Sequence, residues 1–363
     1  MFADMQKDQA IVAHLERIIG KKLLTKYNEQ GKLVRLDLRD NQLTQLPPEI
    51  NLLANLKSLD LDKNQLTQLP PEIGQLSNLQ LLSLGDNQLT QLPPEIGQLS
   101  NLQLLALENN QLTQLPPEIG QLFNLRSLYL YKNRLTKFPL ELGQFPNLRD
   151  LYLGSNQLTQ LPPELGQLPN LQTLSLWYND IVQLPPELGQ LPNLQTLDLD
   201  GNRLTRVPLE LCQLSNLQTL SLAKNQLTQL PLELGQLANL RELSLENNPL
   251  LTPPPEITSQ STQAILTFLQ DLQHQSVKRY EAKLILVGEG GTGKSSLLRS
   301  LHGKTFDTSL PTTHGIEVDT LTVPHPTDHA QTLLLNTWDF GGQHIYHATH
   351  QFFLTQRSLY LVV

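Results

Sequence analysis

Gly288-Glu289-Gly290-Gly291-Thr292-Gly293-Lys294-Ser295 fits the pattern G-x-x-x-x-G-K-[ST]. The pattern has a physical logic. Glycines let successive backbone N–H groups curl around phosphate oxygens. Lys294 brings a cation to the β- and γ-phosphates of a nucleotide, and the Ser295 hydroxyl is a ligand for Mg²⁺. Together with Ser296, these residues give a cofactor-binding set of Gly288, Gly291, Gly293, Lys294, Ser295 and Ser296.

Such a loop works only between a strand and a helix. "AKLILVG" before it reads as an apolar strand, and "SSLLRSL" after it opens a helix. The helix N-terminus adds a dipole favourable to anions. Further on, "LLLNTWDFGGQ" places Asp339-Phe340-Gly341-Gly342, a D-x-x-G pattern, at the end of a second apolar strand. "LPTTHGIEV" places Thr313 nineteen residues after Lys294.

The rest of the chain is dominated by a 23-residue period. Asn41, Asn64, Asn87, Asn110, Asn133, Asn156, Asn179, Asn202, Asn225 and Asn248 mark ten units with the frame L-x-x-L-x-L-x-x-N. This is the leucine-rich-repeat pattern. Leu82 and Leu84 in "LQLLSLGDNQLTQLPPEIGQLSN" fall on one face of a short strand, because strand side chains alternate. Stacked units then form a parallel sheet with leucines inward. The asparagine is expected to bond turn backbone that would otherwise be buried unpaired, and the prolines of "LPPEIGQL" to stop the strand. Caps are expected at both ends of the stack. Ile11, Leu15, Ile18 and Ile19 make a helical stripe, read as a helix over 8–26 inside an N-terminal cap of residues 1–30. Ile265, Phe268, Leu269 and Leu272 make another, read as a helix over about 259–280 that closes a solenoid of residues 31–257 and links it, across 258–281, to the second domain.

Where near-identical repeats differ, the differences carry information. The two columns expected on the concave face collect Tyr129, Tyr131, Tyr152 and Trp177 in repeats five to seven, with Tyr178 beside them. Rigid exposed aromatics are typical anchors for a protein partner; the competing reading is cross-strand packing of drifted residues. Asp60, Asp62, Asp198 and Asp200 flank these aromatics and suggest a partner with some basic character.

The nucleotide motifs look like those of a Ras-type small GTPase, and the spacing from Lys294 to Thr313 is that of Ras itself. A leucine-rich solenoid followed by "THGI", "WDFGGQ" and "YHATHQFFLTQRSLYLVV" resembles the Roco family, whose GTPase module is called Roc. The implied fold class is α/β: a solenoid followed by the N-terminal half of a Ras-like P-loop domain at 282–363. The resemblance implies GTP and GDP as ligands, with Mg²⁺ held by Ser295, Thr313 and Asp339. It makes Thr313 a switch residue, with Thr312 its rival. Gly342 senses the γ-phosphate, and Gln343 orients the attacking water. Catalytic roles therefore fall on Gln343 and Thr313. The base-reading N/T-K-x-D motif is expected after the strand "SLYLVV", so the chain is read as C-terminally truncated and guanine specificity as carried over from the family. A COR dimerisation module, and in some relatives a serine/threonine kinase, would lie beyond Val363. The alternative is an interaction scaffold carrying a nucleotide-binding remnant.

Other patterns exclude more than they suggest. "Asp-Phe-Gly" has no H-R-D loop before it, so no kinase domain is read in these residues. His344, His347 and His350 drift around a helix without a carboxylate or cysteine, and belong with the second switch rather than a metal. Cys212, where neighbouring repeats have glycine, reads as structural. The 363 residues carry a net charge of −8, which gives no basic footprint for nucleic acid. One cysteine suggests a reducing compartment. With no signal peptide read at the N-terminus and no apolar run near the roughly 18 residues of a membrane span, the expected location is the cytoplasm.

Overall fold

Leucines at fixed spacing set the architecture of the first unit. A computed structural model describes residues 2–275, 281–287, 291–305, 307, 316–324, 332–340 and 358–362. The chain divides into two units, Met1–Gln273 and His274–Val363.

The first unit is built on an eleven-stranded sheet whose strands follow chain order. Strand β1 (Leu24–Tyr27) pairs antiparallel with β2 (Leu33–Asp37). From β2 to β11 (Glu242–Ser244) the pairing is parallel and in register, so Leu36, Leu59, Leu82, Leu105, Leu128, Leu151, Leu174, Leu197, Leu220 and Leu243 form one row. Ten asparagines in the sequence thus become ten parallel strands. Each "PPEIGQ" or "PLELGQ" segment turns back as a five-residue 3₁₀ helix, with proline in the extended conformation at its N-cap, as at Pro70 and Pro93. Proline suits that place because its fixed φ starts a helical turn and it has no N–H to leave unpaired. Leucine and isoleucine from strands and 3₁₀ turns fill one continuous core.

The asparagines hold consecutive turns together. Asn133 Nδ2 donates to Leu107 O (2.9 Å) and Leu130 O (3.0 Å), and its Oδ1 accepts from Leu112 N (3.0 Å). The same pattern recurs from Asn64 to Asn225. These side chains are buried. Losing one strands several buried backbone groups, at about 1–3 kcal/mol each.

Both caps differ from the sequence expectation in extent. Helix α1 spans Phe2–Ile19, not 8–26. Gly20, at φ 79°, ends it, and residues expected to be helical instead form β1 as an antiparallel edge. Val12 and Leu15 are buried, whereas Ile18 is 57% exposed, so the buried stripe is rotated from the one expected. At the far end a short helix α2 (Pro255–Thr258) precedes α3 (Thr262–Gln275). Ile265, Leu266 and Leu269 of α3 enter the solenoid core, while Phe268 and Leu272 are only partly buried. Leu243 N donates to Thr262 Oγ1 (3.0 Å) and Gln270 Nε2 to Gly235 O (2.5 Å). Helix α3 is therefore the lid of the last repeat.

The second unit has a sheet of its own. Strands β12 (Glu281–Val287), β14 (Thr332–Phe340) and β15 (Ser358–Val362) are mutually parallel, and β13 (Ile316–Pro324) is an antiparallel edge on β14. The order of these described strands across the sheet is β13-β14-β12-β15. Helix α4 (Lys294–Leu301) follows β12. Leu284, Leu286, Leu298, Leu321 and Leu335 make a small core.

Candidate functional site

The nucleotide motifs converge where β12 and β14 end side by side, with Leu286 opposite Asp339 in the parallel register. The loop enters α4 through Gly293, at φ 93°, a left-handed conformation that glycine adopts without penalty. Leu297 N donates to Gly293 O (2.8 Å), so the helix is formed from its first turn. Lys294 is buried, with 6% of its surface exposed. Ser295 Oγ donates to Asp339 Oδ2. Asp339 is fully buried, and among the described residues its Oδ1 meets no donor.

Two of the three residues expected to hold Mg²⁺ are thus brought together. Their hydroxyl and carboxylate oxygens are the hard ligands that Mg²⁺ takes, and the orphaned Oδ1 has acceptor capacity left for a cation or its water. Gly291 and Ser296 flank the same turn. Gly288, Thr312, Thr313, Gly342, Gln343, His344, His347 and His350 lie outside the described residues. Next to the site, Thr337 Oγ1 donates to Asp319 O (2.9 Å), pinning β14 to β13.

On the first unit the aromatics form two sets of touching rings. Tyr129 and Tyr152 stack at 4.9 Å between centroids with planes 5° apart. Tyr131 and Trp177 meet at 6.4 Å, although the repeat between them separates their strands. Gly154 leaves the room: a Cβ there would overlap the indole. Trp177 meets Tyr178 edge-on at 5.6 Å. Tyr178 in turn reaches two repeats onward, across Gly201, to Lys224, whose Nζ lies 2.5 Å from its hydroxyl and 5.1 Å from its ring centroid. Sequence reasoning misses Lys224, Gly154 and Gly201. The available signal is a glycine interrupting a variable column.

Carboxylates continue the same row. Glu108 and Asp62 lean toward each other over Gly85, where a Cβ would meet both carboxylates. Burial, then the neighbouring Asp60 charge, pushes Asp62 up to about 6, despite the hydrogen bond it accepts from Gly85 N (2.8 Å). Burial raises Glu108 as well, and its Oε2 has no partner among the described residues. Burial likewise raises Asp198 and Asp200. By contrast, the Arg39 hydrogen bond holds Asp37 below the ordinary carboxylate range. Cys212 is pushed up to about 12, chiefly by burial, which makes a reactive thiolate unfavourable.

Fold and site together define a leucine-rich-repeat solenoid joined to a Ras-like P-loop domain. A family model described as "Ras of Complex, Roc, domain of DAPkinase" matches residues 283–363. A leucine-rich repeat region model matches 72–152 and 140–313, and a leucine-rich repeat model matches 31–89. The chain belongs to the leucine-rich-repeat proteins, with a match to the Roc domain after the repeats. It is 37% identical over 128 residues to the probable serine/threonine-protein kinase pats1 of Dictyostelium discoideum, covering 31% of this chain and 4% of that protein. It is 39% identical over 118 residues to probable serine/threonine-protein kinase roco11 of the same organism, covering 30% of this chain and 8% of the relative. The chain therefore matches only a small part of these relatives. Among solved structures it is similar to a leucine-rich-repeat protein of Leptospira interrogans, with 48% identity and a TM-score of 0.60 over 63% of this chain and 58% of that one. It also resembles the ectodomain of the Arabidopsis thaliana receptor kinase GASSHO1/SCHENGEN3, with 34% identity and a TM-score of 0.56 over 62% of this chain and 31% of that one. No helix among the described residues is long and apolar enough to cross a membrane.

Proposed function

We propose that this protein binds GTP and GDP in its Roc domain and hydrolyses GTP, with the solenoid presenting a face to a protein partner. The observation that carries the nucleotide reading is the contact between Ser295 and the buried Asp339 carboxylate beside a buried Lys294. Lys294 holds the β- and γ-phosphates. Ser295, Asp339 and Thr313 hold Mg²⁺, which when bound supplies positive charge to the triphosphate. The Gly342 N–H meets the γ-phosphate and Gln343 orients the water. Turnover then needs positioning and charge neutralisation, with no covalent intermediate.

The test is titration of the full-length gene product with fluorescent GDP, GTP and ATP in Mg²⁺. Guanine nucleotides are expected to bind, and Lys294→Ala to abolish binding in a protein that melts normally. Equal affinity for ATP and GTP would sink the guanine reading.

The partner face is centred on Tyr129, Tyr131, Tyr152, Trp177 and Tyr178, supported by the Tyr129–Tyr152 stack and the Tyr131–Trp177–Tyr178 contacts within repeats five to seven. A pull-down from the native host tests it, wild type against the Tyr152→Ala/Trp177→Ala double variant. Retention of every partner by a normally melting variant would place the binding surface elsewhere.

A further inference from the structure

One row just past the strand ends reads, repeat by repeat, Asp62, Gly85, Glu108, Tyr131, Gly154, Trp177, Asp200. The two glycines sit three strands apart and do similar work. Over Gly85 two carboxylates converge, and over Gly154 an indole crosses to a tyrosine. The result is a continuous strip with an aromatic shelf in the middle and acidic groups at both ends. Glu108 stands one repeat from Tyr131, and N of the next residue, Asn109, donates to Tyr131 O at 2.9 Å.

The acidic end is only partly neutralised: the Arg39 charge acts on Asp62 without outweighing its burial, and no cation among the described residues offsets Glu108. Arg39 is engaged with Asp37 and Asp60, at 2.7 and 3.2 Å. No cation among the ion pairs of the described residues reaches Asp62, Asp86 or Glu108. Burial and the repulsion of neighbouring carboxylates make ionised Asp62 and Glu108 costly in the free protein. A planar cation relieves both terms, since a guanidinium pairs with a carboxylate in bidentate fashion and stacks on an aromatic face.

From this charge complementarity we infer that the strip from Asp62 to Asp200 seats an extended peptide bearing arginine, its guanidinium lodged between Glu108 and the Tyr131–Trp177 shelf. The inference rests on the partner-face reading above and names that partner's chemistry. Six strand spacings of about 4.8 Å give a strip of roughly 29 Å, the reach of about nine extended residues.

The experiment is selection of a displayed random nonapeptide library on the full-length protein, with the Glu108→Gln variant as counter-selection. Arginine, and to a lesser degree lysine, is expected to be enriched among the binders. Replacing that arginine by citrulline, neutral and nearly isosteric, is expected to weaken a labelled binder about tenfold or more, as is Trp177→Ala. Circular dichroism and melting control for folding, and Trp177→Phe should retain most of the affinity. Enrichment of peptides without a cation, no enrichment above the counter-selection, or equal affinity for arginine and citrulline forms would each overturn the inference. If the host pull-down still loses its partner in the Tyr152→Ala/Trp177→Ala variant, the partner face stands and only the cation chemistry falls.

Discussion

Trp177 lies over Gly154, and by crossing that bare backbone it reaches Tyr131 two repeats away. A side chain at Gly154 would take the indole's seat. Gly154→Ala is therefore expected to expel Trp177 and break the ring contact, at an overpacking cost of about 1–3 kcal/mol. Binding to the partner face should fall with it. Chemical denaturation and the environment of Trp177 fluorescence check this, in a Trp338→Phe background so that one emitter remains. A variant with unchanged emission and stability would show that the ring contact does not depend on this glycine.

Tyr178 occupies a left-handed backbone position, at φ 48°. The equivalent residue in other repeats does the same, from Asp40 and Lys63 through Lys224 to Asn247, and in one repeat it is Gly201. A bulky residue there carries a backbone penalty of about 1–2 kcal/mol, offset here by the contacts with Trp177 and Lys224. Tyr178→Gly removes the contacts and the penalty together, so stability should change by no more than about 1 kcal/mol. Tyr178→Val loses the contacts and deepens the penalty. It should be less stable than the glycine variant by about 1–2 kcal/mol in urea denaturation. Equal stability of the two would argue against strain at this position.

Asp62 gives a pH prediction with a definite sign. Its folded-state value is raised to about 6 from an ordinary 3.8. Between those values the folded chain keeps a proton that the unfolded chain has lost, so this group's contribution falls as pH rises through the interval. An asparagine in its place would mimic the protonated form and keep the acceptor for Gly85 N. Asp62→Asn should therefore melt higher than wild type at pH 7.5, and the difference should shrink toward zero near pH 4. Asp60, Asp86, Glu108 and Arg39 are present in both proteins, and the relief Glu108 gains when the Asp62 charge is lost adds to the difference with the same sign. A difference independent of pH would mean that the carboxylate is not destabilised in the fold.

The solenoid was legible because one residue type repeats where one physical need repeats. From Asn64 to Asn225 each asparagine answers the same set of buried backbone groups, and the proline at each N-cap starts the same turn. The left-handed column was not legible, since nine of its ten residues carry side chains and only Gly201 advertises the backbone. The caps were legible in kind but not in extent. An apolar stripe predicts a helix, yet Gly20 and the pairing of Leu24 with Asp37 decide where it ends, and that pairing is non-local. At the nucleotide site the loop and D-x-x-G patterns named Ser295 and Asp339, but the fit between them depends on β12 and β14 lying adjacent and parallel. The Tyr131–Trp177 contact and the reach of Tyr178 to Lys224 needed the glycine gaps, which matter only once strands are stacked.

The same reasoning fixes where the first unit ends. Sequence periodicity stops near residue 257, and a boundary drawn there would leave the last repeat uncovered. Ile265, Leu266 and Leu269 are buried against that repeat, and Thr262 and Gln270 satisfy Leu243 N and Gly235 O. Burying three such side chains contributes about 1.5–3 kcal/mol each, so α3 belongs to the solenoid's stability. A chain cut after residue 257 should melt well below one cut after Gln275, with a larger amplitude of dye binding to exposed apolar surface. It should also aggregate more readily, because its final strand loses its cover. Limited proteolysis of the intact protein should yield a resistant fragment that retains α3. A stable fragment ending near residue 257, melting like the longer one, would show that α3 is a passenger on the solenoid rather than its lid.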